Sequence, residues 1–122
     1  MKKLLAIIMI LTLNSCFMFK NNGIEMTIKN HSNKPITNIE FTTTEKLSVI
    51  KVDRIEPNES ITEFLSMRKN KTDGAYSLVF TRANGEKETA DVGYYTNGFS
   101  LEIGVNFTIK NDTTIVNFDL SK

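Results

Sequence analysis

A chain of 122 residues with 40% apolar and 24% charged side chains is long enough for one domain with one core. It is too apolar and too evenly charged for a disordered segment. The 15 basic residues stand against 14 acidic ones, and setting aside Lys2 and Lys3 leaves the remainder at −1, so no concentrated basic surface argues for nucleic-acid binding.

The chain opens with Lys2 and Lys3, followed by Leu4–Leu13, in which Thr12 alone is polar. Ten helical residues span about 15 Å, half of a bilayer core, so this run is too short to cross a membrane. A short basic region before an apolar stretch is the layout of a secretory signal. The next residues, Leu13-Asn14-Ser15-Cys16, resemble the lipobox of bacterial lipoproteins: an aliphatic residue at −3, a small residue at −1, then Cys. Asn14 at −2 departs mildly from the pattern, where small residues are commoner. The resemblance implies that the Cys16 sulfur receives a diacylglyceryl group, that residues 1–15 are removed, and that residues 16–22 form a short tether. It covers the leader only. The alternative is a leader cut elsewhere, or an uncleaved anchor with an incidental cysteine. Cys16 is the single cysteine, so an intramolecular disulfide is excluded. Several acyl chains together hold a protein firmly, which would place the mature chain in a bacterial cell envelope, on the outer membrane in preference to the inner.

From residue 23 the pattern changes from an apolar run to alternation, and residues 23–122 read as one domain. Ile24, Met26 and Ile28 alternate with polar residues, the period of a half-buried strand. Weaker strands follow at Ile36–Thr43, Leu47–Ile55 and Ser60–Met67. The alternation slips at Ile36/Ile39 and at Val49/Ile50/Val52, and bulges would account for both. Tyr76, Leu78 and Phe80 repeat the period, and Lys87–Tyr94 continues it weakly. Leu101, Ile103, Val105, Phe107 and Ile109 form the strongest pattern, predicting five inward residues on one strand. Val116, Phe118 and Leu120 close the chain. Turn residues separate these segments: Pro57-Asn58, Asn84-Gly85 and Asn97-Gly98, the last two as type I′ hairpins with both residues at positive φ, and Asn111-Asp112. After Cys16 there is no helical stripe of useful length. Seven or eight short strands with such turns predict an all-β, antiparallel sandwich, immunoglobulin-like in architecture, with a small closed barrel as the alternative.

The catalytic inventory is thin. His31 is the single histidine and lies in a polar turn, so His-based zinc sites are unavailable and a triad would have to recruit an exposed turn residue. Glu86 and Glu88 share a face after the Asn84-Gly85 turn, with Asp91 opposite, a pattern typical of a solvated strand edge. No Asp-rich loop offers calcium ligands, and no cofactor or metal is implied. Parity with Val92 sends Tyr94 to the core and Tyr95 outward. Tyr95, Asn97 and Phe99 then form a candidate contact surface around the Asn97-Gly98 turn. Asp112-Thr113-Thr114 resembles the short O-glycosylation pattern of Bacteroidetes envelope proteins, which makes Thr113 a candidate acceptor. These features together predict a non-catalytic membrane-anchored lipoprotein that binds an envelope protein or a surface glycan. A periplasmic inhibitor or immunity-type lipoprotein is the second reading, and a carboxylate-based hydrolase a remote third.

Overall fold

The computed structural model describes residues 22–120. Cys16 and the tether residues Phe17–Phe19 lie outside the described residues. Nine strands form two sheets: β1 (Gly23–Asn30), β2 (Ile36–Thr43), β3 (Val49–Ile55), β4 (Ser60–Ser66), β5 (Gly74–Thr81), β6 (Lys87–Thr96), β7 (Phe99–Ser100), β8 (Glu102–Ile109) and β9 (Thr114–Leu120). One sheet runs β4-β1-β8-β9 and the other β3-β2-β5-β6-β7. The all-β sandwich is therefore as expected, with the short β7 bringing the count to nine. β1 pairs with β8 in parallel, from Glu25↔Gly104 to Asn30↔Ile109, where an antiparallel sheet was expected.

Period two fills the core. Ile24, Met26 and Ile28 of β1 and Val105, Phe107 and Ile109 of β8 meet Phe41, Tyr76, Leu78 and Phe80 from the facing sheet, all essentially inaccessible. Phe41 packs edge-on to Phe107 at 5.9 Å and stacks with Tyr76 at 6.2 Å between ring centroids. Aromatic pairs at these separations add to the area they remove from water. The slip at Ile36/Ile39 is a bulge: Asn38 takes φ 50° and the β2–β5 register shifts between Thr37 and Glu40, so both isoleucines point inward. The slip in β3 is different. Its register with β2 is unbroken, Val49 is simply exposed, and Ile50 and Val52 share the inner face.

Two expectations need correction. Leu101 and Ile103 are 50% and 58% exposed, because β8 carries one extra residue between Glu102 and Gly104 opposite Leu120 and Asp119. That bulge turns Ile103 out, while Val105, Phe107 and Ile109 keep the inward parity. The Asn84-Gly85 hairpin is not type I′. Gly85 alone has positive φ, the Gly85 amide donates to the Arg82 carbonyl, and Asn84 Oδ1 accepts from the Glu86 amide. This is a three-residue loop closing on a left-handed glycine. The Asn97-Gly98 turn does have both residues at positive φ, 51° and 78°. At Pro57-Asn58, the Glu59 amide donates to Glu56 O and Asn58 takes φ 65°, a type II turn with proline presetting its first corner.

Burial predicts the mutational response. Phe107→Ala should cost about 3–5 kcal/mol in urea denaturation, through lost transfer energy and the cavity left behind. Ile103→Ala should stay within about 0.5 kcal/mol, as an exposed site does. Comparable losses at the two positions would contradict the bulge.

Candidate functional site

The sandwich has two ends with different chemistry. Asn22, Met67, the Asn97-Gly98 turn and Leu120 lie at the proximal end, where the chain enters. The distal end gathers the turns that follow β1, β3, β5 and β8. Asn22 is held tightly: its side-chain amide donates to Met67 O at 3.1 Å and Gly98 O at 2.7 Å, and its own carbonyl accepts from the Met67 amide at 2.8 Å. The domain's entrance is thus fixed between β4 and the β6–β7 turn.

Next to this entrance, the parity expectation for the two tyrosines is reversed. Tyr95 is fully buried and Tyr94 is 49% exposed. Gly93 adopts φ +72°, and β6 places two residues between Val92 and Tyr95 where β5 places one between Tyr76 and Gly74. The extra residue is a β-bulge led by a left-handed glycine, and it inverts the face of everything after it. A Cβ at Gly93 would also stand 2.8 Å from the Phe118 ring and 3.0 Å from Tyr76, so the site excludes larger residues twice over. Of the expected contact surface, Tyr95 is core, whereas Asn97 and Phe99 are exposed as anticipated. Tyr94 takes the outward place, its hydroxyl donating to Asp73 at 3.0 Å; Asp73 also accepts the Asn97 amide at 2.8 Å. A glycine inside a strand pattern is itself a bulge signal, and Gly93 before two tyrosines was the clue available in the sequence.

Buried Tyr95 organises the proximal loops. Its hydroxyl donates to Glu45 Oε1 at 2.9 Å, and the same carboxylate accepts from the Asn70 side chain and from the Lys71 and Thr72 amides at 3.2–3.3 Å. Burial alone would raise the Glu45 carboxyl, but these donors outweigh it and lower it from 4.5 to about 2. Asn70 also donates to Thr43 at 2.9 Å. The carboxylate therefore fastens the 67–73 loop to the β2–β3 turn. It has the bonding of a structural anchor, not of a free acid or base. Tyr76, its hydroxyl 2.8 Å from Ser100, is pushed up to about 12 by burial.

At the distal end the carboxylates are likewise engaged. Glu88 is half-buried, not a solvated edge residue: it accepts from Arg82 Nε and Thr114 Oγ1, each at 2.6 Å. Burial works to raise it, yet these bonds and the Arg82 charge keep it below the usual carboxylate range. Arg82 lies over the Phe80 ring and donates to Lys110 O at 2.7 Å, so the pair links the β5–β6 and β8–β9 hairpins. Glu86 is exposed. Fully buried Asn30, unremarked in the sequence, donates to Lys34 O and Ile55 O and accepts from the Ser32 amide and hydroxyl, which sets the β1–β2 connection. His31 and Thr113 are both exposed at this end, Thr113 on the hairpin tip where the Lys110 amide donates to its carbonyl. Ser32, Pro35, Arg82, Asn84 and Asn111 line a small hollow of about 130 Å³.

The larger concavity, about 470 Å³, lies on the outer face of the five-stranded sheet. Register places Thr42, Ser77 and Asp91 in one row across β2, β5 and β6, and Glu40, Val79 and Thr89 in the next, with Lys87 at the margin. Hydroxyls and carboxylates in registered rows suit hydrogen bonding to a polar ligand rather than enclosure of an apolar one. Among the described residues no cluster of three or more His, Cys, Asp or Glu could hold a metal ion.

No protein-family model matches the chain, and no curated protein matches it. Among solved structures it is similar to the NMR structure of a protein from Eubacterium rectale, with a TM-score of 0.57 and 14% identity, over 83% of this chain and 92% of that one. At that identity the likeness is one of fold.

The lowered Glu45 carboxyl carries a pH signature. A carboxyl whose folded pKa lies below its ordinary value stabilises the fold above about 4.5, and that contribution is lost as pH falls towards about 2. Glu45→Gln should therefore flatten the stability profile across this window, with Glu88 supplying the slope that remains. Denaturation midpoints at stepped pH would show it; parallel profiles for the two proteins would contradict the assignment.

Proposed function

We propose that this protein is a non-catalytic lipoprotein of the bacterial cell envelope, anchored through lipidated Cys16. Its sandwich binds another envelope protein or a surface glycan through the trough on the outer face of the five-stranded sheet. The observation that carries the reading is Leu13-Asn14-Ser15-Cys16 after a short basic and apolar leader. That sequence gives a place and an anchor. The trough supplies the surface, because it presents Ser77, Thr89 and Asp91 on the outer face of a sheet, beside Thr42 and Glu40, which are engaged with Ser48 O and Lys51. The three carboxylates after the Asn84-Gly85 turn are separated: Glu88 is tied to Arg82 and Thr114, Glu86 stands apart on the surface, and Asp91 lies on the opposite face in the trough.

Two measurements test it. Cys16→Ser should abolish acyl labelling and leave an uncleaved precursor, whereas the native chain should begin at residue 16 and carry added lipid mass. A mature terminus elsewhere without that mass would overturn the anchor. Thr89→Arg, an exposed change within the trough, should weaken capture of the envelope partner about tenfold, near 1.4 kcal/mol, with the melting temperature unchanged. Full capture by a folded Thr89→Arg variant would remove the trough from the account.

A further inference from the structure

Large apolar side chains left exposed are unevenly distributed over this sandwich. Leu47, Phe64, Phe99, Leu101, Ile103 and Leu120 are each 45–70% exposed, and all lie in the proximal half. Among the described residues, Ile115, paired with Thr108, is the one exposed large apolar side chain in the distal half. Scattered surface leucines carry no message, but an exposed apolar set confined to one end of a domain marks a contact.

Three further observations indicate what covers that end. The chain enters there, at Asn22, pinned to Met67 and Gly98. Cys16 is six residues earlier, so the covalent path from the cysteine to Asn22 is at most about 20 Å. An eight-residue strand such as β1 separates the two ends by roughly 25 Å, so a short anchor keeps the proximal end nearest the membrane. Charge agrees. The loops at this end, residues 44–48 and 67–73, hold exposed Lys46, Arg68, Lys69 and Lys71 against Glu45 and Asp73. Glu45 and Asp73 keep their charge while spending their oxygens on internal donors, so the two loops stand at a formal +2. Cations beside exposed aromatic and aliphatic side chains form the combination that settles at a bilayer interface, and anionic headgroups attract it.

We propose that the proximal end of the sandwich, carrying Phe99, Leu101 and Ile103 on its strands and Lys69 and Lys71 on the loop against the Gly98 turn, docks directly on an anionic lipid surface. The domain then stands upright on its membrane instead of swinging on the tether. This inference rests on the lipoprotein reading. It adds a second attachment to the acyl chains and turns the Ser77–Asp91 row of the trough sideways, with Thr44 and Lys46 bordering both surfaces.

The experiment uses the full lipidated protein in vesicles of equal parts phosphatidylcholine and phosphatidylglycerol, some lipids carrying a spin-label quencher. A fluorophore is placed at Phe99→Cys, at Leu47→Cys or, as the distal control, at Asp112→Cys. Lipid mass on the purified protein is measured first. Docking predicts at least about twofold stronger quenching at positions 99 and 47 than at 112. It also predicts a clear loss of that difference in Lys69→Glu, Lys71→Glu protein. Leu47 keeps the test decisive if Phe99→Cys fails to fold. Lipidated, vesicle-bound protein with equal quenching at both ends overturns the docking alone and leaves the exposed apolar set to a protein partner. Quenching undiminished by the charge reversal overturns the assignment to an anionic surface. Protein without lipid mass overturns the lipoprotein reading, and the docking with it.

Discussion

Gly93 sits at φ +72° in the middle of β6, and the organisation of one whole end of the molecule follows from that backbone angle. The bulge it leads turns Tyr95 into the core and Tyr94 out of it. Tyr95 packs on Tyr76 at 5.6 Å and passes its hydroxyl to Glu45. Glu45 gathers Asn70, Lys71 and Thr72, and the Thr72 carbonyl accepts the Gly98 amide at 2.7 Å. Gly98 in turn accepts from Asn22. A continuous run of hydrogen bonds thus leads from the bulge to Asn22, next to the first residue of β1. Glycine is required again at Gly98, whose absent Cβ makes room for the Asn70 carbonyl.

The two ends are closed by different means. The distal end uses charge: Arg82, with a side chain only 12% exposed, joins Glu88 and the last hairpin. Such a half-buried, bidentate-capable group fixes geometry more than it adds stability, because removing its charge from water opposes the gain. Stability resides in the aromatic and aliphatic layer between the sheets, since the single cysteine offers no internal crosslink. The proximal end uses a buried hydroxyl and a carboxylate to shape loops, and it leaves apolar side chains outside. An isolated soluble domain would gain from covering them. Under the proposed lipid anchor, a bilayer within about 20 Å would do so.

Alternation made most strands legible in the sequence, because a period of two has a single physical cause, a sheet with one dry face. Ile24, Met26, Ile28, Tyr76, Leu78 and Phe80 were readable for that reason. Parity fails wherever a residue is inserted, and three insertions decide the details. Asn38 was readable because two isoleucines three apart cannot otherwise share a face. Ile103 was not, since an apolar residue in correct alternation conceals a bulge. Gly93 was readable in principle, as a glycine within a strand pattern. The Tyr95–Glu45–Asn70 node could not be foreseen, because its members are 25 and 50 residues apart and meet only through the fold. Of the anticipated contact surface, Asn97 and Phe99 are exposed and Tyr95 is replaced by Tyr94.

Tyrosine nitration of the folded protein tests the central constraint most directly, because the chain holds three tyrosines, at 76, 94 and 95. Brief treatment with tetranitromethane followed by peptide mass mapping reads which rings solvent reaches. The left-handed bulge predicts modification at Tyr94, with Tyr76 and Tyr95 protected until the protein is unfolded. Modification of Tyr95 ahead of Tyr94 would mean that β6 runs without the insertion, and the hydrogen-bonded path from Gly93 to Asn22 would fall with it.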